Sequence, residues 1–343
     1  MKLAIHNGKD NASWNLLFMK ICDDKGIPYV LLDCYSNDII NKLKTNGITH
    51  LIFCFSLYSY SASLFAKSII NSVEKMGIRV FPGFNENWFF EDKVAQKYLL
   101  ESIDADIVKC WVFYNKNDAL TFLKECNYPL VAKLRKGAGS HNVKLLKNYS
   151  EARQYTRKMF GKGINPSPGY FADFGNRSSI LLKKRNSSLI LKAIRSLPTK
   201  VIDAQKRKKR FHNEKGYVYF QEYLPGNTND LRITVVRKRA WGFFRNVRKN
   251  DFRASGSGMI DYDTDIPLEV VRKSFDFAER IKARSIAFDY VKDREMNYRI
   301  VEICYGFVGD AVYNAKGYWD DRLIFHRGHY RPEECILEDF LGS

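Results

Sequence analysis

The stretch that decides the fold is Ser285–Phe307, SIAFDYVKDREMNYRIVEICYGF. Ile286–Val291 and Tyr298–Cys304 are rich in aromatic and β-branched residues while Lys292–Asn297 is polar, so the segment reads as two strands joined by a turn. A hairpin centred between Glu295 and Met296 sets Asp289 directly opposite Glu302, with both carboxylates on one face. Neighbouring carboxylates repel unless a proton or cation lies between them, and hard oxygen ligands of this kind suit magnesium. An acid pair facing water on an edge hairpin is the alternative that these residues leave open.

Upstream of the hairpin, Pro267–Lys282 reads as a helix, and Tyr217–Tyr223, Leu231–Arg237 and Ala240–Val247 read as strands. The segment FFRNVRKNDFRASGSG, with Leu231–Arg237 before it, carries Arg232, Arg245, Arg248 and Arg253 on adjacent strands and a glycine turn. Arginines so spaced can converge on one anion, although some of the four are expected to face water. The strand VAKL ends near Lys133 and runs into RKGAGSHNV, where Gly137, Gly139 and Ser140 form a flexible turn. Backbone N–H groups of such a turn can wrap phosphate oxygens, and a lysine adds a point charge; an ordinary hairpin turn has the same composition.

The first ninety residues alternate short apolar strands (Lys2–His6, Tyr29–Asp33, His50–Phe55, Arg79–Phe81) with helical patterns. This βαβ rhythm predicts a small parallel, Rossmann-like α/β domain. A boundary is expected near 85–90, followed by an amphipathic helix over Glu91–Ser102 that carries Lys93. The α/β rhythm fails over 161–215, which reads as an insertion. Domains are therefore expected at 1–90, 91–230 with the insertion, and 231–343.

With 45% hydrophobic and 14% aromatic residues among 343, the chain can bury a large core and is not disordered. The start lacks the order of a signal peptide, and no apolar run approaches a membrane span, so a cytoplasmic protein is expected. Seven cysteines without a CxxC pair point to neither disulfides nor zinc. The net charge of +18 is uneven: residues 183–215 hold twelve Lys or Arg against Asp203 and Glu214, a local +10. Such a run is the footprint of a polyanion partner, but KRKKRF at 206–211 lacks the interleaved aromatics of a nucleic-acid stacking platform, so nucleic acid is not the expected partner.

Taken as an ordered series, DKVAQKYLLES, YPLVAKLRKGAGSHNV, QEYLPGNTNDLRITVV, NDFRASGSG, AFDYV and RIVEICYGF resemble the ATP-grasp superfamily of carboxylate–amine ligases, near the ribosomal-protein glutamate ligase. The resemblance covers about Phe81 to Phe307 and implies an α/β ATP-grasp fold behind a pre-ATP-grasp domain. It implies ATP and Mg2+ as cofactors. Lys93 and Lys133 match the lysines on the nucleotide phosphates, with Gly137, Gly139 and Ser140 as the covering loop. Gln221 to Leu224 match the adenine hinge, with backbone contacts at Glu222 and Leu224, and Asp230 lies near ribose and substrate. Arg245 matches the arginine at the transferred phosphoryl group, with Arg232 and Arg253 as further catalytic candidates, and Asp289 and Glu302 match the magnesium ligands. Cys304 departs from the pattern, because many members have Asn two residues after the glutamate.

The implied reaction joins a small-molecule or glycan carboxylate to an amine. The basic insertion points to a sugar acid of a surface polysaccharide, with contact to an anionic membrane or polyanionic glycan as a companion expectation. A ligase that extends a peptide or protein with amino acids shares the chemistry, and a non-catalytic nucleic-acid binder is the rival from another class.

Overall fold

The computed structural model describes residues 1–8, 12–55, 60–136, 142–166, 212–248 and 258–342. Gly137, Gly139, Ser140, Arg253 and most of the expected insertion lie outside the described residues. The chain forms two compact units, Met1–Val108 with Leu224–Ser343, and Lys109–Tyr223.

The first unit begins as expected with alternating strands and helices: β1 (Leu3–His6), α1 (Ser13–Asp24), β2 (Tyr29–Leu32), α2 (Ile39–Thr45), β3 (His50–Ile52), α3 (Tyr60–Lys75) and β4 (Arg79–Phe81). The four strands form a parallel sheet of order β2-β1-β3-β4. Two helices follow, α4 (Phe84–Asn87) and α5 (Lys93–Ser102). Asp92 starts α5 because its side chain accepts the Ala95 N–H at 3.0 Å, a helix-capping contact that fixes Lys93 at the first helical position.

The second unit holds β5 (Cys110–Phe113), α6 (Lys116–Glu125), β6 (Leu130–Lys133), β7 (Val143–Leu146), α7 (Tyr149–Met159) and β8 (Val218–Glu222). Its antiparallel sheet has the order β5-β8-β6-β7. Phe220 on one face meets Phe113 of β5, Phe122 of α6 and Tyr155 of α7. Alternation sends Lys133, Tyr219 and Gln221 to the opposite face.

The chain then returns to the first unit with β9 (Asn229–Val236), β10 (Arg239–Asn246), β11 (Ile260–Asp261), α8 (Leu268–Ile281), β12 (Ser285–Lys292), β13 (Tyr298–Cys304), α9 (Gly309–Tyr313), β14 (Gly317–Asp320), β15 (Phe325–Arg327) and α10 (Pro332–Gly342). These strands build an antiparallel sheet of order β13-β12-β9-β10-β14-β15, with β11 beside β10. One face packs Leu231, Ile233, Val235, Phe288 and Tyr290 against Val270, Phe277 and Ile281 of α8. Burying each such side chain contributes about 1.5–3 kcal/mol.

On the other face, Val236, Trp241, Phe243 and Ala287 share a core with Leu3, Ile5 and Phe18 from the start of the chain and Ile336, Leu337 and Phe340 of α10. This shared core is why the chain groups into two units by compactness rather than into the three expected segments. The hydrophobic surface that closes the N-terminal sheet comes from residues more than two hundred positions away.

Candidate active site

The hairpin β12–β13 pairs Asp289 with Glu302, as the sequence predicts. The route differs: the ladder passes from Asp289↔Glu302 to Tyr290↔Ile300, so Val301 is an extra residue in β13 and forms a bulge. Met296 donates its N–H to Asp293 O and Asp293 donates to Asn297 O, so the turn centres on Glu295. Bulge and shifted turn compensate, and Asp289 and Glu302 are register partners.

The pairing continues across the sheet. Arg232 of β9 is the register partner of Asp289, and Arg245 of β10 is the partner of Asp230. Asp230 and Arg232 are two apart on β9, so their side chains leave the same face. Glu302, Asp289, Arg232, Asp230 and Arg245 therefore form one charged group on the face that also buries Val236, Trp241, Phe243 and Ala287. Lys93 joins it from α5, with Nζ 3.1 Å from Glu302 Oε1. The Ile303 N–H donates to Gln96 Oε1 at 3.4 Å, which docks α5 on β13 and so places Lys93.

Arg232 forks onto Asp289, with Nε to Oδ1 at 2.7 Å and Nη2 to Oδ2 at 2.9 Å. Arg245 forks onto Asp230 at 2.7 and 2.6 Å, and its Nη2 also reaches Asp289 Oδ2 at 2.8 Å. The two arginines thus converge on one anion, and that anion is the chain's own Asp289.

Burial pushes the Asp289 carboxyl up, but Arg232 and Arg245 together outweigh burial and hold it well below the usual carboxylate range. Burial raises the Asp230 carboxyl, and Arg245, which it shares with Asp289, and the more weakly acting Arg232 do not outweigh it. The Lys93 ammonium is held above its ordinary value, because Glu302 and then Glu91 outweigh burial. Glu91, which has a positive φ of 54° just before α5, is a neighbour that no sequence pattern indicates.

The donor set fits a magnesium ion. Mg2+ binds through one or two carboxylates and completes its shell with water and phosphate oxygens, and Asp289 and Glu302 supply two carboxylates in register. Among the described residues no group of three or more His, Cys, Asp or Glu forms a closed metal cage. Cys304 adds no donor: burial, Glu91 and Glu302 push its thiol well up, and a neutral thiol is a poor partner for a hard cation.

In the second unit, Lys133 is buried, at 5% exposure, opposite Tyr219. The Gln221 side chain donates to Cys110 Sγ at 3.2 Å, and the Glu222 N–H donates to Lys109 O at 2.9 Å. Leu224, half-buried, belongs to the first unit.

No protein-family model matches the chain, and no curated protein matches its sequence. Solved structures do. A RimK domain ATP-grasp protein from Sphaerobacter thermophilus is 12% identical, with 88% of this chain and 90% of that chain covered and a TM-score of 0.51. D-alanine–D-alanine ligase from Bacillus anthracis, complexed with ATP, is 12% identical over 100% of this chain and 97% of its own, at a TM-score of 0.56. The biotin carboxylase domain of 2-oxoglutarate carboxylase from Hydrogenobacter thermophilus, solved with MgADP and bicarbonate, is 11% identical over 100% and 70%, at 0.59. The chain has the ATP-grasp fold. Among the described residues no helix is long and apolar enough to cross a membrane.

Proposed function

We propose that the protein is an ATP- and Mg2+-dependent carboxylate–amine ligase. The observation that carries this reading is the in-register pair Asp289–Glu302, flanked by Lys93, Arg232 and Arg245 on one face of an ATP-grasp sheet. The substrate carboxylate attacks the γ-phosphorus of ATP, giving an acyl phosphate and ADP. The amine then attacks the acyl carbon, and phosphate leaves as the amide forms and the amine loses a proton. Magnesium, when bound, neutralises charge that develops on the phosphoryl oxygens. Lys93 and Arg245 supply fixed positive charge at the same sheet face. Lys133, Gln221, Glu222 and Leu224 are assigned to the nucleotide on the resemblance.

The finer reading is amidation of a sugar acid in surface polysaccharide synthesis, supported by the +10 charge of residues 183–215. A peptide or amino-acid acceptor involves the same steps. The test is incubation with ATP, Mg2+ and pooled sugar acids, amino acids and amines, read by ADP release and product mass. A product equal to acid plus amine less water supports the ligase, and its acid component decides between sugar acid and peptide. Glu302→Ala, with its circular dichroism spectrum unchanged, is expected to abolish ADP release. Undiminished turnover in that variant sinks the assignment, and salt-sensitive nucleic-acid binding without ATP turnover supports the non-catalytic rival. Liposome flotation with and without residues 183–215 tests the anionic-membrane contact.

A further inference from the structure

The two carboxylates assigned to the metal are not equivalent. Glu302 gives Oε1 to Lys93, and its Oε2 has no described hydrogen-bond partner. Asp289 receives three donors, Arg232 Nε on Oδ1 and the Nη2 atoms of both arginines on Oδ2. A carboxylate offers about four lone-pair sites, so one position remains, on Oδ1 beside Arg232 Nε. A dication there would lie against a guanidinium in a site where Asp289 is only 6% exposed, and like charges repel strongly where water is excluded.

One of the arginines must therefore give way to a metal, and the geometry distinguishes them. Arg245 is anchored by two hydrogen bonds to Asp230 and touches Asp289 through a single nitrogen. Arg232 directs both engaged nitrogens at Asp289, its only carboxylate partner among the described residues. Removing Arg232 leaves Asp289 paired with Arg245; removing Arg245 strands Asp230.

We propose that Arg232 is an exchangeable internal counter-ion: it closes Asp289 until a divalent cation displaces it, and metal binding frees its guanidinium for an anionic group of the substrate. This rests on the reading of Asp289 and Glu302 as metal ligands. In the closed state Lys93, Arg232 and Arg245 pair with Glu302, Asp289 and Asp230, with Glu91 beside Lys93, so each of these three cations has a carboxylate partner without metal. Arg232 then changes partner with the metal, from Asp289 to the substrate's anionic group.

The test uses Mn2+ without nucleotide, titrated into the full chain by calorimetry. A site whose open form is a minor population binds more weakly by that fraction, so removing the competitor in Arg232→Gln is expected to tighten Mn2+ binding by about tenfold where nine-tenths of molecules are closed. Arg232→Lys, which retains charge but loses the fork, is expected to fall between. In the wild-type chain, the Arg232 Nε–H resonance is expected to shift on addition of Mg2+. Mn2+ affinity that is unchanged or weaker in a folded Arg232→Gln, with Asp289→Asn still abolishing binding, overturns the exchange and leaves the metal site standing. Wild-type Mn2+ affinity in Asp289→Asn overturns both the exchange and the metal assignment.

Discussion

Lys93 Nζ lies 3.1 Å from Glu302 Oε1, joining the first residue of α5 to β13 across 209 positions of chain. The lysine side chain is 5% exposed and the glutamate 28%, so the pair is screened by water on one side only. Lys93→Met removes the ammonium and leaves Glu302 facing Asp289 with less compensation. ADP release is expected to fall by at least about a hundredfold, the range for losing a preorganised charge at a phosphoryl-transfer site. A coupled ADP assay reads it, and activity within twofold of the wild type contradicts the role. Because the Lys93 pKa is raised in the folded chain, its stabilisation is complete below the unfolded value of about 10.4 and is lost as pH rises through the folded value.

The carboxyls of the arginine-bridged aspartates are shifted in opposite directions by the fold. Asp289 has its carboxyl lowered by two guanidiniums, so its contribution is present above the unfolded value of about 3.9 and disappears as pH falls through the folded value. Asp230 is raised, so its contribution is greatest at low pH and is lost as pH rises through the folded value. Asp289→Asn is expected to flatten the acid limb of a melting-temperature curve, whereas Asp230→Asn should leave that limb steep. Equal acid limbs in the two variants would contradict the unequal sharing of Arg245.

Arg245 and Asp230 are each 8% exposed. Arg245→Met is expected to cost about 3–5 kcal/mol, the range for breaking a buried pair from one side. The double variant Arg245→Met with Asp230→Leu should recover most of that loss, since no unpaired charge stays buried at Asp230. Urea unfolding of the two variants measures the difference; equal stabilities would show that Asp230 does not depend on Arg245.

Much of this was legible because the signals are local. Strand composition marks β12 and β13, helical periodicity marks α8, and βαβ rhythm marks the parallel sheet. Local counting also placed Asp289 opposite Glu302, but it could not see the Val301 bulge, since nothing in the residues distinguishes a bulged ladder from a turn shifted by one. The cation partners lay beyond it altogether. Arg232 meets Asp289 only because β9 and β12 are neighbours in a particular register, and Lys93 meets Glu302 only because Gln96 docks α5 on β13. The short strands β14 and β15, four and three residues long, carry no alternating pattern to betray them. The core that unites Leu3 and Ile5 with Trp241 and Phe340 is likewise invisible to composition.

Cys304 follows Glu302 by two residues on the same strand, so it leaves the same face, opposite Ala287. Burial, Glu91 and Glu302 keep the thiol protonated, and a neutral sulfur contributes little to a cation that prefers oxygen. Cys304→Asn places an amide oxygen, a hard neutral donor, at that position without adding charge to the site. Because Mg2+ gains from each oxygen that replaces a water in good geometry, the variant is expected to lower the Mg2+ concentration needed for half-maximal ADP binding by about three- to tenfold, a gain of ~0.7–1.4 kcal/mol. Calorimetric ADP titrations at a series of Mg2+ concentrations read the shift. Cys304→Ser gives a control of similar size with a weaker oxygen donor and is expected to shift less. An Asn variant that folds normally yet leaves the Mg2+ requirement unchanged would mean that residue 304 does not reach the metal, and the departure of this chain from the ATP-grasp pattern would then have no effect on the ion.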